Sequence, residues 1–337
     1  MKKRILYIGN DLTINSFTAT YISFFSKVLK KEGYAVRKAS NKNNKALRLF
    51  EMLGLIMKYH KSTDIVLIDT YGALNFYYAY LVGKACQFYN LEYIPILHGG
   101  NLPERIKHSP KFSKSLFGNA KMNVAPSKFL YEVFTEAGFL NTQIIPNSVE
   151  LKKYPFKNRE YFAPRLLWVR RFQNRYNPMM AVNVLQRLRQ HFPEASLCMV
   201  GPEKDGSMAK CKAFKDKHNL DVVFTGKLRK KEWAKLSVDY DIFLNTTNID
   251  NTPISVIESM ALGLAIVSTD VGGMHFLIDD KKDGLLVPSK DEDKMVDAIL
   301  YLLNNQNMAN QMALNARHKV DNFDWEIIKN KWNLLLQ

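Results

Sequence analysis

Short, unbroken apolar runs alternate along this chain with longer stretches in which apolar residues recur every three or four positions. The runs Lys3 to Gly9, Tyr34 to Lys38, Asp64 to Thr70, Tyr93 to Leu97 and Met122 to Ala125 read as strands. A second series, Arg165 to Val169, Ala195 to Val200, Val222 to Phe224, Ile242 to Leu244 and Ala265 to Ser268, reads the same way. Helical spacing fills the intervals. One predicted helix runs from roughly Ser16 to Glu32, with Phe17, Tyr21, Phe24, Phe25, Val28 and Leu29 on one face. Another spans Asn41 to Ser62 and turns Leu47, Phe50, Leu53, Ile56 and Met57 one way. Further helices are expected over Gly72 to Asn90, Pro178 to Gln190, Met208 to His218, Lys227 to Val238, Ser255 to Leu262, Asp291 to Asn304 and Phe323 to Gln337. Strands that are apolar throughout, each followed by a helix, belong to parallel sheets covered on both faces. The alternation in both halves predicts an α/β protein of two doubly wound, Rossmann-like domains facing a cleft, residues 1–150 and 160–320.

The most informative stretch is Asp241 to Pro288. A strand leads into the polar loop Asn245 to Pro253, a short helix closed by Gly263 follows, and a second strand comes after it. Ligands of such sheets sit at the carboxyl ends of the strands, where this loop lies. Asp250 and Glu258 bracket the loop with seven residues between them, so both can face that crevice. The backbone N–H groups of Thr252, Pro253-flanked Ile254 and Ser255 lie where a helix start can receive a phosphate. Spacing alone also fits a plainer arrangement, in which Asp250 or Asn251 caps the helix and Glu258 is a solvated surface residue.

Composition narrows the field. A net charge of +16, with residues 1–150 holding 20 basic against 10 acidic residues, suggests an anionic partner: a membrane surface, a nucleic acid or a phosphorylated substrate. The helix over 41–62 adds Lys42, Lys45, Arg48, Lys58, His60 and Lys61 to its apolar stripe; it suits an anionic membrane as well as a sheet. Arg105, Lys107, His108, Lys111 and Lys114 form a second basic cluster. Three cysteines, Cys86, Cys198 and Cys211, have no metal-ligand spacing and suggest a reducing, cytoplasmic setting. The apolar run at the start is too short for a signal-peptide core or a membrane span. No G-x-G-x-x-G follows the first strand, which argues against a dehydrogenase. Asp239–Asp241 and Asp291–Asp293 fit D-x-D, yet both lie at helix ends, where acids have structural uses.

Asp250…Glu258 followed by Ser-Met-Ala-Leu-Gly, an apolar strand, Val271-Gly272-Gly273 and a Gly-Leu-Leu-Val end resembles the E-x7-E signature of retaining glycosyltransferases of family 4. Asp250 stands for the first Glu, Asn251-Thr252-Pro253 for Gly-Phe-Gly, Ala265 for a later Pro, and Phe276 for a Glu after Gly-Gly. Ala-Pro-Ser-Lys-Phe-Leu and Ile145-Pro146-Asn147-Ser148-Val149-Glu150 are similar to two further family stretches, the second leading into the hinge. Val169-Arg170-Arg171-Phe172…Tyr176-Asn177-Pro178 resembles V-G-R-L-x-x-x-K-N-P, so Arg171 matches the family Arg, and Tyr176 stands at the Lys position with Arg175 before it.

The resemblance implies the GT-B fold over almost the whole chain, with residues 1–150 on the acceptor side, 160–320 binding the donor and helix 323–337 packing back on the first domain. It implies a metal-independent, retaining transferase that uses no cofactor and takes a UDP- or GDP-sugar as donor. Arg171 and Arg175 would clasp the diphosphate, Glu258 the ribose, and Asp250 and His98 the sugar. Thr252, Pro253, Ile254, Ser255, Gly226, Gly9 and Asn10 complete the expected donor contacts. The implied acceptor is a lipid-linked or nascent surface glycan, as in capsule, exopolysaccharide or lipopolysaccharide synthesis, at the inner face of a membrane. A sugar-nucleotide epimerase or phosphorylase on the same architecture is the enzymatic alternative. A nucleic-acid-binding protein is the alternative from another class, though no helix-turn-helix, zinc finger or aromatic RNA-binding signature is present, and no nucleic-acid partner is expected.

Overall fold

A computed structural model describes residues 2–11 and 20–337. The expected loop residues Leu12 and Thr13, and the expected helix start at Ser16 with Phe17, lie outside the described residues. The described part of that helix is Tyr21–Lys31.

The chain divides into two compact units, Met1–Pro146 with Lys329–Gln337, and Asn147–Ile328. The first contains strands β1 (Arg4–Ile8), β2 (Ala35–Ala39), β3 (Ile65–Thr70), β4 (Tyr93–Leu97), β5 (Asn123–Ala125) and β6 (Thr142–Ile144). They form one parallel sheet in the order β2-β1-β3-β4-β5-β6. The second contains β7 (Arg165–Val169), β8 (Ser196–Val200), β9 (Val222–Gly226), β10 (Ile242–Asn245), β11 (Ala265–Thr269) and β12 (Leu285–Val287). Its order, β12-β11-β10-β7-β8-β9, is also parallel throughout.

Unbroken apolar runs become strands because both faces of each sheet are covered. In the second unit, side chains alternate between two cores: Leu166, Trp168, Ile242 and Leu244 enter one, Leu167 and Phe243 the other. In the first unit Leu6, Ile8, Val66 and Ile68 share a core with the helix Phe76–Phe88. On the other face Tyr7 meets Phe25 edge-on, and Phe25 meets Trp332 of the last helix at 4.5 Å between ring centres.

Two expectations need correction. The helix Lys45–Tyr59 buries Arg48, Met52 and Ile56. Leu47, Phe50 and Met57, expected on the buried face, are 59%, 71% and 60% exposed. The apolar residues of this helix exceed what the sheet covers, and Met52 takes the inward position. A helix Gln306–Val320 was not expected. Its inward face, Ala309, Met312, Ala313, Ala316 and Val320, has helical spacing but is mostly small.

Before β7 the chain is pinned by Arg159. Its buried guanidinium donates to the carbonyls of Tyr240, Lys157, Leu262 and Ser237 at 2.9–3.1 Å and lies 3.4 Å from Asp241. Burial lowers its pKa to about 10, against the pull of Asp241, so it is cationic at neutral pH. Arg159→Ala is expected to cost on the order of 3–5 kcal/mol, because four carbonyls lose a charged donor and buried Asp241 loses one of its two arginines. Urea unfolding checks this; an unchanged midpoint would refute it.

Candidate active site

In the second unit the chain winds outward from β7 to β9 on one side and from β10 to β12 on the other, so the strand order reverses between β7 and β10. The crevice outside the carboxyl ends of two such strands is the usual ligand site of a doubly wound sheet. The loops leaving these strands are stitched together. Trp168 Nε1 donates to Thr246 Oγ1 at 3.0 Å, and that hydroxyl lies 2.9 Å from the carbonyl oxygens of both Tyr176 and Asn177. Asn248 N donates to Arg175 O at 2.8 Å.

Asp250 and Glu258 are both ion-paired. Arg170, the residue after β7, donates to Asp250 Oδ2, while Asp250 Oδ1 accepts from Asn251 N. Glu258 is 4% exposed, and its Oε1 accepts from the Tyr154 hydroxyl and from Lys230 Nζ. Burial first, and the charge of Glu258 second, push the Tyr154 phenol well up, so it remains a donor. The plainer alternative is excluded: Pro253 is the cap residue of the helix Ile254–Ala261, without a side-chain cap, and Glu258 is not solvated.

Glycine shapes this loop. Gly272 has φ +57°, and a Cβ there would stand 2.1 Å from Asp250 O; Gly273 donates its N–H to the same oxygen at 3.1 Å. Side chains at the Gly-Gly step would push the Asp250 loop away. Thr252 Oγ1, Ser255 Oγ, Asn248 Oδ1 and Arg170 Nε are buried here with no protein partner. Orphaned polar atoms of this kind call for an explanation, and a polar ligand is one.

The remaining expected residues of this unit are spread around the same loops. Arg171 is exposed, and its charge, second to burial, lowers the pKa of Lys227. Arg175 is exposed in the turn Asn174–Tyr176, with its guanidinium 5.4 Å from the centre of the Tyr176 ring. Gly226 ends β9 in the left-handed conformation and accepts from Gly201 N at 2.8 Å.

In the first unit the order reverses between β1 and β3. Asp69, near the end of β3, holds His98: Oδ1 lies 2.8 Å from His98 Nε2 and accepts from the Tyr7 hydroxyl at 2.6 Å. The imidazole meets the ring of Tyr21 edge-on and stacks on that of Tyr71. Gly9 lets the chain pass Asp69, since a Cβ there would come within 2.4 Å of Oδ2. Asn10 Oδ1 accepts from Arg48 at 3.1 Å. Gly9, Asn10, Asp69, Tyr71 and Tyr78 line one small recess.

Sequence reasoning missed Asp69, Tyr154, Lys230 and Arg170. Asp69 did leave a signal, as an acid inside the run DIVLIDT; Arg170 left one as the neighbour of Arg171. Tyr154 and Lys230 left none. No three His, Cys, Asp or Glu side chains gather in a metal-holding group among the described residues. Asp291 caps the helix Glu292–Asn304 through Lys294 N, and Asp293 pairs with Arg187. Asp241 faces Arg159 and Arg165. The three cysteines are free and buried.

Two Rossmann-like sheets of this kind define the GT-B fold. Anabaena Alr3699/HepE, solved in complex with UDP, superimposes with a TM-score of 0.76 at 15% identity, covering 99% of each chain. Residues 152–319 match the family model described as glycosyl transferases group 1, which with the fold puts the chain in the GT-B glycosyltransferase superfamily. The GDP-mannose-dependent alpha-mannosyltransferase of Mycobacterium tuberculosis is 31% identical over 107 residues, 32% of this chain and 28% of that protein. The GalNAc-alpha-(1->4)-GalNAc-alpha-(1->3)-diNAcBac-PP-undecaprenol alpha-1,4-N-acetyl-D-galactosaminyltransferase of Campylobacter jejuni is 24% identical over 173 residues, 51% of this chain and 47% of that protein. The matches thus span less than half the length of these curated relatives.

Tyr154→Phe and Lys230→Met each remove a donor from the same buried oxygen. Each is expected to destabilise the protein by about 1–3 kcal/mol. Their effects should be non-additive by on the order of 0.5–3 kcal/mol. A double-mutant cycle in urea measures this; strict additivity would mean that the two donors do not share Glu258.

Proposed function

We propose that this protein is a retaining, metal-independent hexosyltransferase that moves a sugar from a nucleotide-diphosphate sugar to a lipid-linked or nascent surface glycan. The observation that carries the reading is the cluster of buried, unpartnered polar atoms, Arg170 Nε, Thr252 Oγ1, Ser255 Oγ and Asn248 Oδ1, at the carboxyl ends of β7 and β10. The family match over 152–319 and the UDP-bound structural relative support it.

Departure of a nucleoside diphosphate leaves negative charge on its oxygens. Cationic groups and the start of the helix Ile254–Ala261 would stabilise that charge without reorganising. Glu258, fixed by Tyr154 and Lys230, would accept from ribose hydroxyls. Asp250 would orient the sugar. In a same-face reaction the leaving phosphate takes the acceptor proton, so neither carboxylate has to act as nucleophile. Nothing on these loops favours an epimerase or a phosphorylase.

Glu258→Ala is expected to weaken UDP or GDP binding by tenfold or more, read by calorimetry. Asp250→Ala should cut transfer far more than nucleotide binding. Transfer at the parent rate by Asp250→Ala would remove Asp250 from the mechanism, and unchanged affinity in Glu258→Ala would remove the ribose role.

The acceptor side rests on the first unit's surface. Exposed Leu47, Phe50 and Met57 recur at helical spacing on one helix, with Lys42, Lys45, Lys58 and Lys61 nearby. Such a face suits the interface of an anionic membrane. No helix among the described residues is long and apolar enough to cross one. The protein is expected to float with phosphatidylglycerol vesicles at low salt, and Phe50→Asp to float less; failure of the parent to float would leave only a soluble acceptor.

A further inference from the structure

We infer that Arg170 supplies the cation that a lysine supplies at position 176 in the glycosyltransferase pattern, and that it contacts the diphosphate of the donor. The inference rests on the donor-site reading above. In the pattern V-G-R-L-x-x-x-K-N-P this chain departs three times: Arg170 stands at the Gly, Phe172 at the Leu and Tyr176 at the Lys. The structure joins the first and the last of these. The guanidinium of Arg170 lies over the ring of Tyr176, 4.9 Å from its centre. A phenol ring at 176 brings no charge, but its face attracts a cation from the strand end to the place beside it.

The same guanidinium pairs with Asp250, which is one methylene shorter than the Glu of the pattern. Arg170 is thus held by a carboxylate and a ring together, with its side chain only 16% exposed. Those two contacts leave donors over: Nη2 is engaged by Asp250, and Nε is buried with no acceptor. Arg170 follows directly on β7, one of the two strands at which the order reverses, so those donors lie where a ligand of this sheet binds. A planar fork of donors suits two phosphate oxygens better than an ammonium does. Arg175 has no comparable clamp; it is exposed, with its ring contact to Tyr176 at 5.4 Å.

The test is calorimetry of UDP, GDP, UMP and GMP on the parent, Arg170→Ala, Arg175→Ala and the exchange Arg170→Gly with Tyr176→Lys. The parent should bind UDP or GDP. Arg170→Ala should weaken that diphosphate on the order of tenfold to a hundredfold while the matching monophosphate changes less than threefold. Arg175→Ala should lose less diphosphate affinity than Arg170→Ala does, and the exchange should recover most of the affinity lost in Arg170→Ala. An arginine that only braced Asp250 would weaken mono- and diphosphate alike, and that outcome overturns the inference alone. So does loss of diphosphate selectivity in Arg175→Ala but not in Arg170→Ala. If Arg170→Ala does not fold, an exchange variant that folds yet binds the diphosphate a hundredfold more weakly overturns it as well. A parent that binds neither UDP nor GDP overturns the donor-site reading and this inference with it.

Discussion

A carboxylate taken out of water destabilises a fold by several kcal/mol unless charge and hydrogen bonds are both returned to it. Glu258 imposes that requirement on the second unit. Its partners come from far apart in the chain: Tyr154 is 104 residues away and Lys230 is 28. The helix Ile254–Ala261 is buried almost throughout, so the acid cannot turn out to solvent. Segment 151–154, the helix Lys230–Leu236 and the helix Ile254–Ala261 must therefore settle together. An acid used only for stability is cheaper to replace with leucine than to satisfy in this way. Its retention here fits a polar task at the spot where the sheet presents its strand ends.

The sheets make that spot by geometry alone. Every strand runs the same way, so every loop at the carboxyl end emerges on one side, and the reversal of order parts the two central loops. Close backbone contacts then set the distances. Gly272 and Gly273 lie against Asp250 and Asn251, and Thr246 links the turn at Tyr176 to the end of β10. The same logic operates separately in the first unit, where Gly9 lies against Asp69 and Asp69 holds His98.

The strands other than β6 and β12, and the loop of acids, were legible because their signals are local: an apolar run needs two covered faces, and the spacing of Asp250 and Glu258 follows one helix start. What could not be read was pairing across distance. Nothing near Tyr154 or Lys230 says that they meet at one oxygen. The helix Gln306–Val320 escaped because alanine carries its inward face, and a small apolar residue marks burial weakly. The helix Lys45–Tyr59 misled in the other direction. It has more apolar residues than the core accepts, so periodicity alone could not say that Leu47, Phe50 and Met57 face out. At Arg170 and Arg171 the pattern named one arginine and the geometry drew in its neighbour.

Charge balance at the second unit's loops shows what kind of molecule they suit. Asp250 is matched by Arg170 and Glu258 by Lys230, so neither acid carries an uncompensated negative charge. Arg171 and Arg175 have no carboxylate partner in an ion pair among the described residues, so the balance of these loops is positive. A neutral sugar alone needs no such surplus. An unmatched carboxylate, the form a protein nucleophile would take, is also missing from the two acids that bracket the loop. The arrangement therefore favours a ligand whose charge grows more negative as a bond breaks, with the cations fixed beforehand by ring and carboxylate contacts. Under that reading the two neutralised acids serve as hydrogen-bond acceptors and orienting groups, and the chemistry falls to the leaving phosphate.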